Sequence, residues 1–141
     1  MYSKKRPTQK RSRRERGQAL LEFAFVVPIF LVLVLGVVDF SWALRSWITV
    51  TNSAREGARY GAVGATCDGI KQRAVDTSAD LLTVSDVSVA NCQGDPGTDV
   101  SVTVDYDYSF ITPLGDLLTL ISGGTFPETL NMTSSSDMRI E

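Results

Sequence analysis

The stretch RGQALLEFAFVVPIFLVLVLGVVD, Arg16 to Asp39, decides how the rest of the chain is read. From Phe23 to Val38 no residue carries a charge or a hydrogen-bonding side chain, and Ala19–Leu21 extend the apolar run backwards past one carboxylate, Glu22. Twenty residues at the α-helical rise cover about 30 Å, the thickness of a bilayer's hydrocarbon core. A surface helix of a water-soluble protein carries a polar face. This run has none, so a membrane-embedded helix is expected. Glu22 is the anomaly, because an ionised carboxylate near a bilayer centre costs roughly 2.5–3.5 kcal/mol or more.

The flanks orient the helix. Residues 1–16 hold eight Lys/Arg against Glu15 alone, while the remaining chain is strongly acidic, although the net charge of the whole is only −2. Positive flanks stay on the cytoplasmic side. A basic block that stops directly against an apolar run is therefore an orientation signal before it is a nucleic-acid tail. The N-terminus is expected inside and the acidic remainder outside. At 141 residues the chain holds one small domain beyond the anchor.

Three fates fit the apolar segment. A cleaved secretory signal would use Ser41-Trp42-Ala43 as its small-x-small site and leave Leu44 as the new N-terminus, though the apolar core exceeds the usual ~7–15 residues. An uncut signal anchor would simply hold an outer domain at the membrane, and leaves Glu22 unexplained. The third is carried by RG-QALLEF, Arg16–Phe23, which resembles a type IV prepilin cleavage site. The resemblance implies a leader ending at Gly17, a new N-terminus at Gln18, Glu22 as fifth residue and the aromatic Phe23 as sixth. It also implies cutting by a prepilin peptidase at the cytoplasmic face, retention of the helix, and pairing of Glu22 with the Gln18 amine of a neighbouring subunit. Such pairing gives the carboxylate a partner, which an apolar bundle demands because an unpaired buried charge costs several kcal/mol.

The helix is expected to continue past Asp39, with Phe40, Trp42 and Trp47 as aromatic-belt candidates. Pro28 removes a backbone donor inside the run, freeing the Ala24 carbonyl. Further on, small residues recur every four positions in two rows: Ser53, Gly57, Gly61, Ala65, and Ala54, Ala58, Ala62. Rows at this spacing share a helix face and let backbones approach closely. Glycines at the end of the run would equally fray the helix. Arg55 and Arg59 share a face with Glu56 one step round, either as a contact to another subunit or as a solvated stripe.

The combination GQALLEFAFVVPIF, GVVDF and TNSAREGARYGA resembles the TadE-like family, pseudopilin-type proteins of tight-adherence (Tad, type IVc) pilus systems. Its N-A-x-R-E-x-A-R feature is present from Asn52 to Arg59, with Ser53 where Ala is common, and the closing SSDMRIE is similar to the family's usual ending. The resemblance covers about a third of the chain, residues 16–62. It implies membrane, other pilin or pseudopilin subunits, a prepilin peptidase and a pilus assembly platform as partners. It implies assembly roles for Glu22 and Phe23, and packing or contact roles for Arg55, Glu56, Gly57, Arg59 and Gly61.

After Gly64 the composition changes. Cys67 and Cys92 are the only cysteines, and on an exported segment they are expected to form a disulfide, the alternative being two reduced thiols. No His exists to complete a zinc site with them. Residues 68–82 are predicted as a second helix with Ile70, Ala74 and Leu81 or Leu82 inward. Alternation predicts strands through Val87–Val89 and Val100–Val104, joined by the QGDPGTD turn cluster. A short LGDLLTLISGG helix and a last strand in TLNMTSSSDMRIE complete the pattern.

The expected fold is α+β: a leader (1–17), a long helix crossing the membrane and continuing outside (18–64), and a small extracytoplasmic domain (65–141) with an antiparallel sheet of about three strands. No enzymatic machinery is expected, since the sequence offers no His, no nucleophile–base pairing and no phosphate-cradling loop. No cofactor or metal is expected either; the aspartates of DPGTDV and VDYDYS do not follow an EF-hand pattern.

Overall fold

One uninterrupted helix, α1 (Arg13–Gly61), runs through Pro28 for 49 residues, about 74 Å at the α-helical rise. The computed structural model describes residues 13–125, 127 and 129–141, with side chains from Gly17 onward. The first twelve residues of the predicted basic leader lie outside the described residues.

Two halves of α1 have different surroundings. From Gly17 to Val34 every residue except half-buried Val27 is exposed. From Asp39 onward one stripe is buried, its members recurring at helical spacing: Asp39, Ser46, Val50, Ser53, Ala54, Gly57, Ala58 and Gly61. Only the helical period places these positions on one face, and that face is covered by everything that follows in the chain.

The covering is a small head. Helix α2 (Cys67–Thr77) starts with Thr66 accepting from the Gly69 N–H at 3.2 Å and turns Ile70 and Ala74 inward. A short 3-10 turn (Val84–Asp86) leads into β1 (Val87–Ala90); β2 (Asp99–Ser109), α3 (Leu114–Ile121) and β3 (Thr129–Arg139) complete the chain. The sheet is antiparallel with order β1-β2-β3, Val102 facing Val89 on one side and Ser136 on the other. Val87, Val100, Val102 and Val104 point from it into a core shared with Val50, Ala54 and Ala58 of α1 and Ile70 and Ala74 of α2. The opposite face is polar, with Thr133 donating to Asp105 and Asn131 to Asp107 across the strands. This alternation is what a half-solvated antiparallel sheet requires.

The α+β architecture expected from the pattern is the one found. Element ends differ in two places. Helix α2 stops at Thr77 rather than reaching residue 82, because Ala79 and Asp80 take left-handed backbone (φ 51° and 65°). Ser78 stabilises the break, donating through Oγ to the Val75 carbonyl and accepting from the Leu82 N–H at 3.1 Å. Leu82 still reaches the core, but from the turn. Helix α1 ends at Gly61, three residues before Gly64, whose φ of +77° is closed to a continuing helix.

Cys67 and Cys92 are joined in a disulfide that ties the start of α2 to the chain just after β1. Closing a loop of this size contributes roughly 3 kcal/mol in the chain-entropy picture. The end of the chain is also fastened: Ile140 is buried, its N–H donates to Thr98 at 2.8 Å, and the Glu141 N–H donates to the Ala62 carbonyl at 3.0 Å.

One core position is imperfect. Ser53 is fully buried on α1, and its hydroxyl has no hydrogen-bond partner among the described residues. A buried hydroxyl without a partner keeps its desolvation penalty, on the order of 1–3 kcal/mol. Ser53→Ala removes the hydroxyl without altering the close approach of the helix. Denaturant unfolding of the purified protein in detergent is expected to show a gain of about 1 kcal/mol.

Candidate functional site

The chemistry-bearing features lie along α1 in three successive zones. The inner zone is the apolar half. Gly17 sits within the helix with open space where a Cβ would be, and Gln18 extends its amide to Glu22 Oε1, one turn on, at 3.4 Å. Phe25 and Ile29 are 75 % and 71 % exposed, and Phe23 is exposed beside Glu22. None of the most apolar stretch is buried by the chain itself. It is therefore not the core helix of this head, and it is long and apolar enough to cross a membrane. The arrangement leaves a wide greasy cylinder carrying one carboxylate near its inner end.

The middle zone is an anchor that sequence reasoning did not single out. Asp39, only 3 % exposed, ends the apolar run, and its carboxylate holds the loop between β2 and α3. Oδ1 accepts from the N–H groups of Ile111 and Thr112, both at 3.0 Å, while Oδ2 accepts from the Thr112 hydroxyl. The Asp39 carbonyl accepts from the Tyr108 hydroxyl at 3.1 Å. Burial, and then the neighbouring Asp39 charge, push the Tyr108 phenol above its ordinary range. The available signal was a lone acid closing an apolar run; its partners lie about seventy residues away and share no motif with it.

The outer zone holds the small-residue rows and the charged triplet. Gly57 is pressed between sheet and α2: a Cβ there would lie 3.2 Å from Val102 Cγ1 and 3.3 Å from Ala74 Cβ. At Gly61 a Cβ would meet Ile70 and Val100 at 3.0 Å. Both glycines therefore serve close packing within the chain. Arg55 and Arg59 are exposed, whereas Glu56 turns to α2 and receives Arg73 Nε at 3.1 Å and Nη2 at 2.6 Å. These hydrogen bonds, aided by the charges of Arg73 and Arg59, hold the Glu56 carboxyl below its usual range against a smaller opposing effect of burial. No local pattern points to Arg73 as its partner. Between the middle and outer zones, the Arg45 guanidinium lies 5.0 Å from the Trp42 ring centroid, an amphipathic pair suited to a membrane surface.

Strand β2 runs down the helix through all of this. Val100 packs at Gly61, Val102 at Gly57, Tyr108 reaches Asp39, and Leu114 Cδ2 lies 3.7 Å from where a Cβ on Gly36 would be. Later residues sit progressively closer to the apolar half.

Such an arrangement defines a class: among the described residues a single candidate membrane helix near the N-terminus, fitting a single-pass membrane protein, with an α+β head clasped to its far half. Within that class, part of the helix is similar to a known family. The family model described as TadE-like protein matches residues 17–59, from Gly17 through the apolar run to Arg59. The match covers about a third of the chain. No curated protein and no solved structure matches the chain.

Proposed function

We propose that this protein is a non-catalytic minor pseudopilin, inserted with its leader inside and its head outside, trimmed after Gly17 by a prepilin peptidase and used in assembling a Tad-type pilus or related secretion apparatus. The observation that carries this reading is the TadE-like match beginning at Gly17 on a helix whose apolar half is left uncovered by its own head. An exposed cylinder of this kind packs against lipid before assembly and against other such helices afterwards. Trimming creates an ammonium at Gln18, one helical turn from Glu22. Across two chains, that ammonium and the Glu22 carboxylate are the charge pair that a low-dielectric bundle requires. Partners in this reading are other pilin or pseudopilin subunits, the peptidase and an assembly platform reached through exposed Arg55 and Arg59.

N-terminal sequencing and intact mass of protein taken from its native host test the proposal. A mature chain beginning at Gln18 is the expected result. An intact basic leader would instead favour an uncleaved single-pass envelope protein whose head binds a partner or ligand, and Leu44 a discarded secretory signal. In the same host, Glu22→Ala is expected to insert into the membrane at normal levels yet fail to co-purify with the assembled apparatus. Incorporation equal to wild type would remove the pairing role.

A further inference from the structure

We propose that helix α3 is a second membrane contact, lying in the headgroup region of the outer leaflet beside the point where α1 leaves the bilayer. The inference rests on α1 crossing a membrane and is independent of whether the protein enters a filament.

Position comes first. Asp39 fixes Ile111 and Thr112 at the end of the apolar run, and Leu114 then reaches Gly36, inside that run. If α1 spans the bilayer, the start of α3 is at the boundary of the hydrocarbon, since the three residues from Gly36 to Asp39 rise only about 5 Å.

Surface chemistry agrees with that position. Leu114 and Gly115 face inward, whereas Leu117, Leu120 and Ile121, spaced as one helical stripe, face outward with Leu120 79 % exposed. Ile111, in the loop before, is 59 % exposed. Among the described residues this stripe is left exposed, and it follows directly on Leu114, which lies against Gly36 in the apolar run of α1. A short amphipathic helix with an apolar face lies in the interface plane and sinks that face into the headgroup and acyl boundary. Asp116, exposed at the edge of the stripe next to Leu120, limits the depth. A carboxylate is tolerated among headgroups and expensive in hydrocarbon. The occupant that fits is therefore lipid at the interface.

The test uses the full chain in phosphatidylcholine vesicles, in a background where Trp42 and Trp47 are replaced by Phe. Single tryptophans are placed by Leu120→Trp, by Phe30→Trp in the apolar run, and by Asp95→Trp in the β1–β2 turn, which is tied to the far end near Ile140. Emission is measured with lipids brominated near the headgroup or deep in the acyl chain, and with aqueous acrylamide. Leu120→Trp is expected to be quenched severalfold more by the shallow bromines than Asp95→Trp, and shielded from acrylamide at every protein-to-lipid ratio. Phe30→Trp should respond to the deep bromines. Leu120→Trp behaving like Asp95→Trp while Phe30→Trp is quenched would place α3 in water and end the proposal. Shielding that vanishes as the protein is diluted in lipid would assign the stripe to a second copy instead. Failure of Phe30→Trp to respond would remove the membrane span itself, and this inference with it.

Discussion

Asp39→Ala is expected to lower the stability of the head by about 3–5 kcal/mol, because three donors lose a charged acceptor at once and two are backbone N–H groups. Asp39→Asn should cost less than half as much. It retains an oxygen for the Ile111 and Thr112 N–H groups, and the Thr112 hydroxyl can rotate to accept from the new amide. The location of the damage discriminates between causes. Hydrogen exchange in detergent should show Ile111 and Thr112 losing protection first, with α3 following and the β1–β2 pairing affected least. If the two amides stay protected in Asp39→Ala, the carboxylate is not what fastens this loop.

Gly57→Leu carries the second large effect. The position lies between Val102 of the sheet and Ala74 of α2, with the Ile70 carbonyl at 3.6 Å from the Cβ site, so a four-carbon side chain has no space without separating three elements. Overpacking of this kind costs typically ~1–3 kcal/mol, and the enclosed site places the expected value at the upper end. Gly57→Ala is different in kind. The neighbours need to yield by only a few tenths of an ångström, and the helix gains roughly 1 kcal/mol from losing a glycine. Near-neutral stability is expected. Arg55→Leu, on the exposed face two residues earlier, is the control and should change little. Equal stability of Gly57→Leu and Arg55→Leu in denaturant titrations would mean that this face is not packed as described.

These two residues mark how far the sequence could be read. The apolar run, the helix that continues beyond it, the alternating valines and the paired cysteines are local patterns, each set by a period or a composition. Helix, sheet and disulfide followed from them. The small-residue rows announced a close approach at Gly57 and Gly61, but spacing alone cannot say whether the approaching surface is another subunit or the chain's own sheet. The chain's own sheet and α2 together are the answer at both glycines. Asp39 was legible only as an acid near the outer interface, since its donors lie in a loop some seventy residues on. Glu56 shared that limit: its neighbours along the helix are Arg55 and Arg59, yet the cation that binds it, Arg73, comes from the next element. The end of α2 is not legible in the sequence because left-handed backbone at Ala79 and Asp80 carries no glycine to signal it.

The clasp of β2 along α1 also has a mechanical meaning. Contacts from Gly36 to Gly61 fasten the head along roughly 37 Å of the helix, in addition to the covalent link through residues 62–66. A pull along the helix axis from its inner end loads these contacts side by side, in shear, so they resist together. The head then travels with its shaft as one rigid piece, without a hinge where the two could come apart.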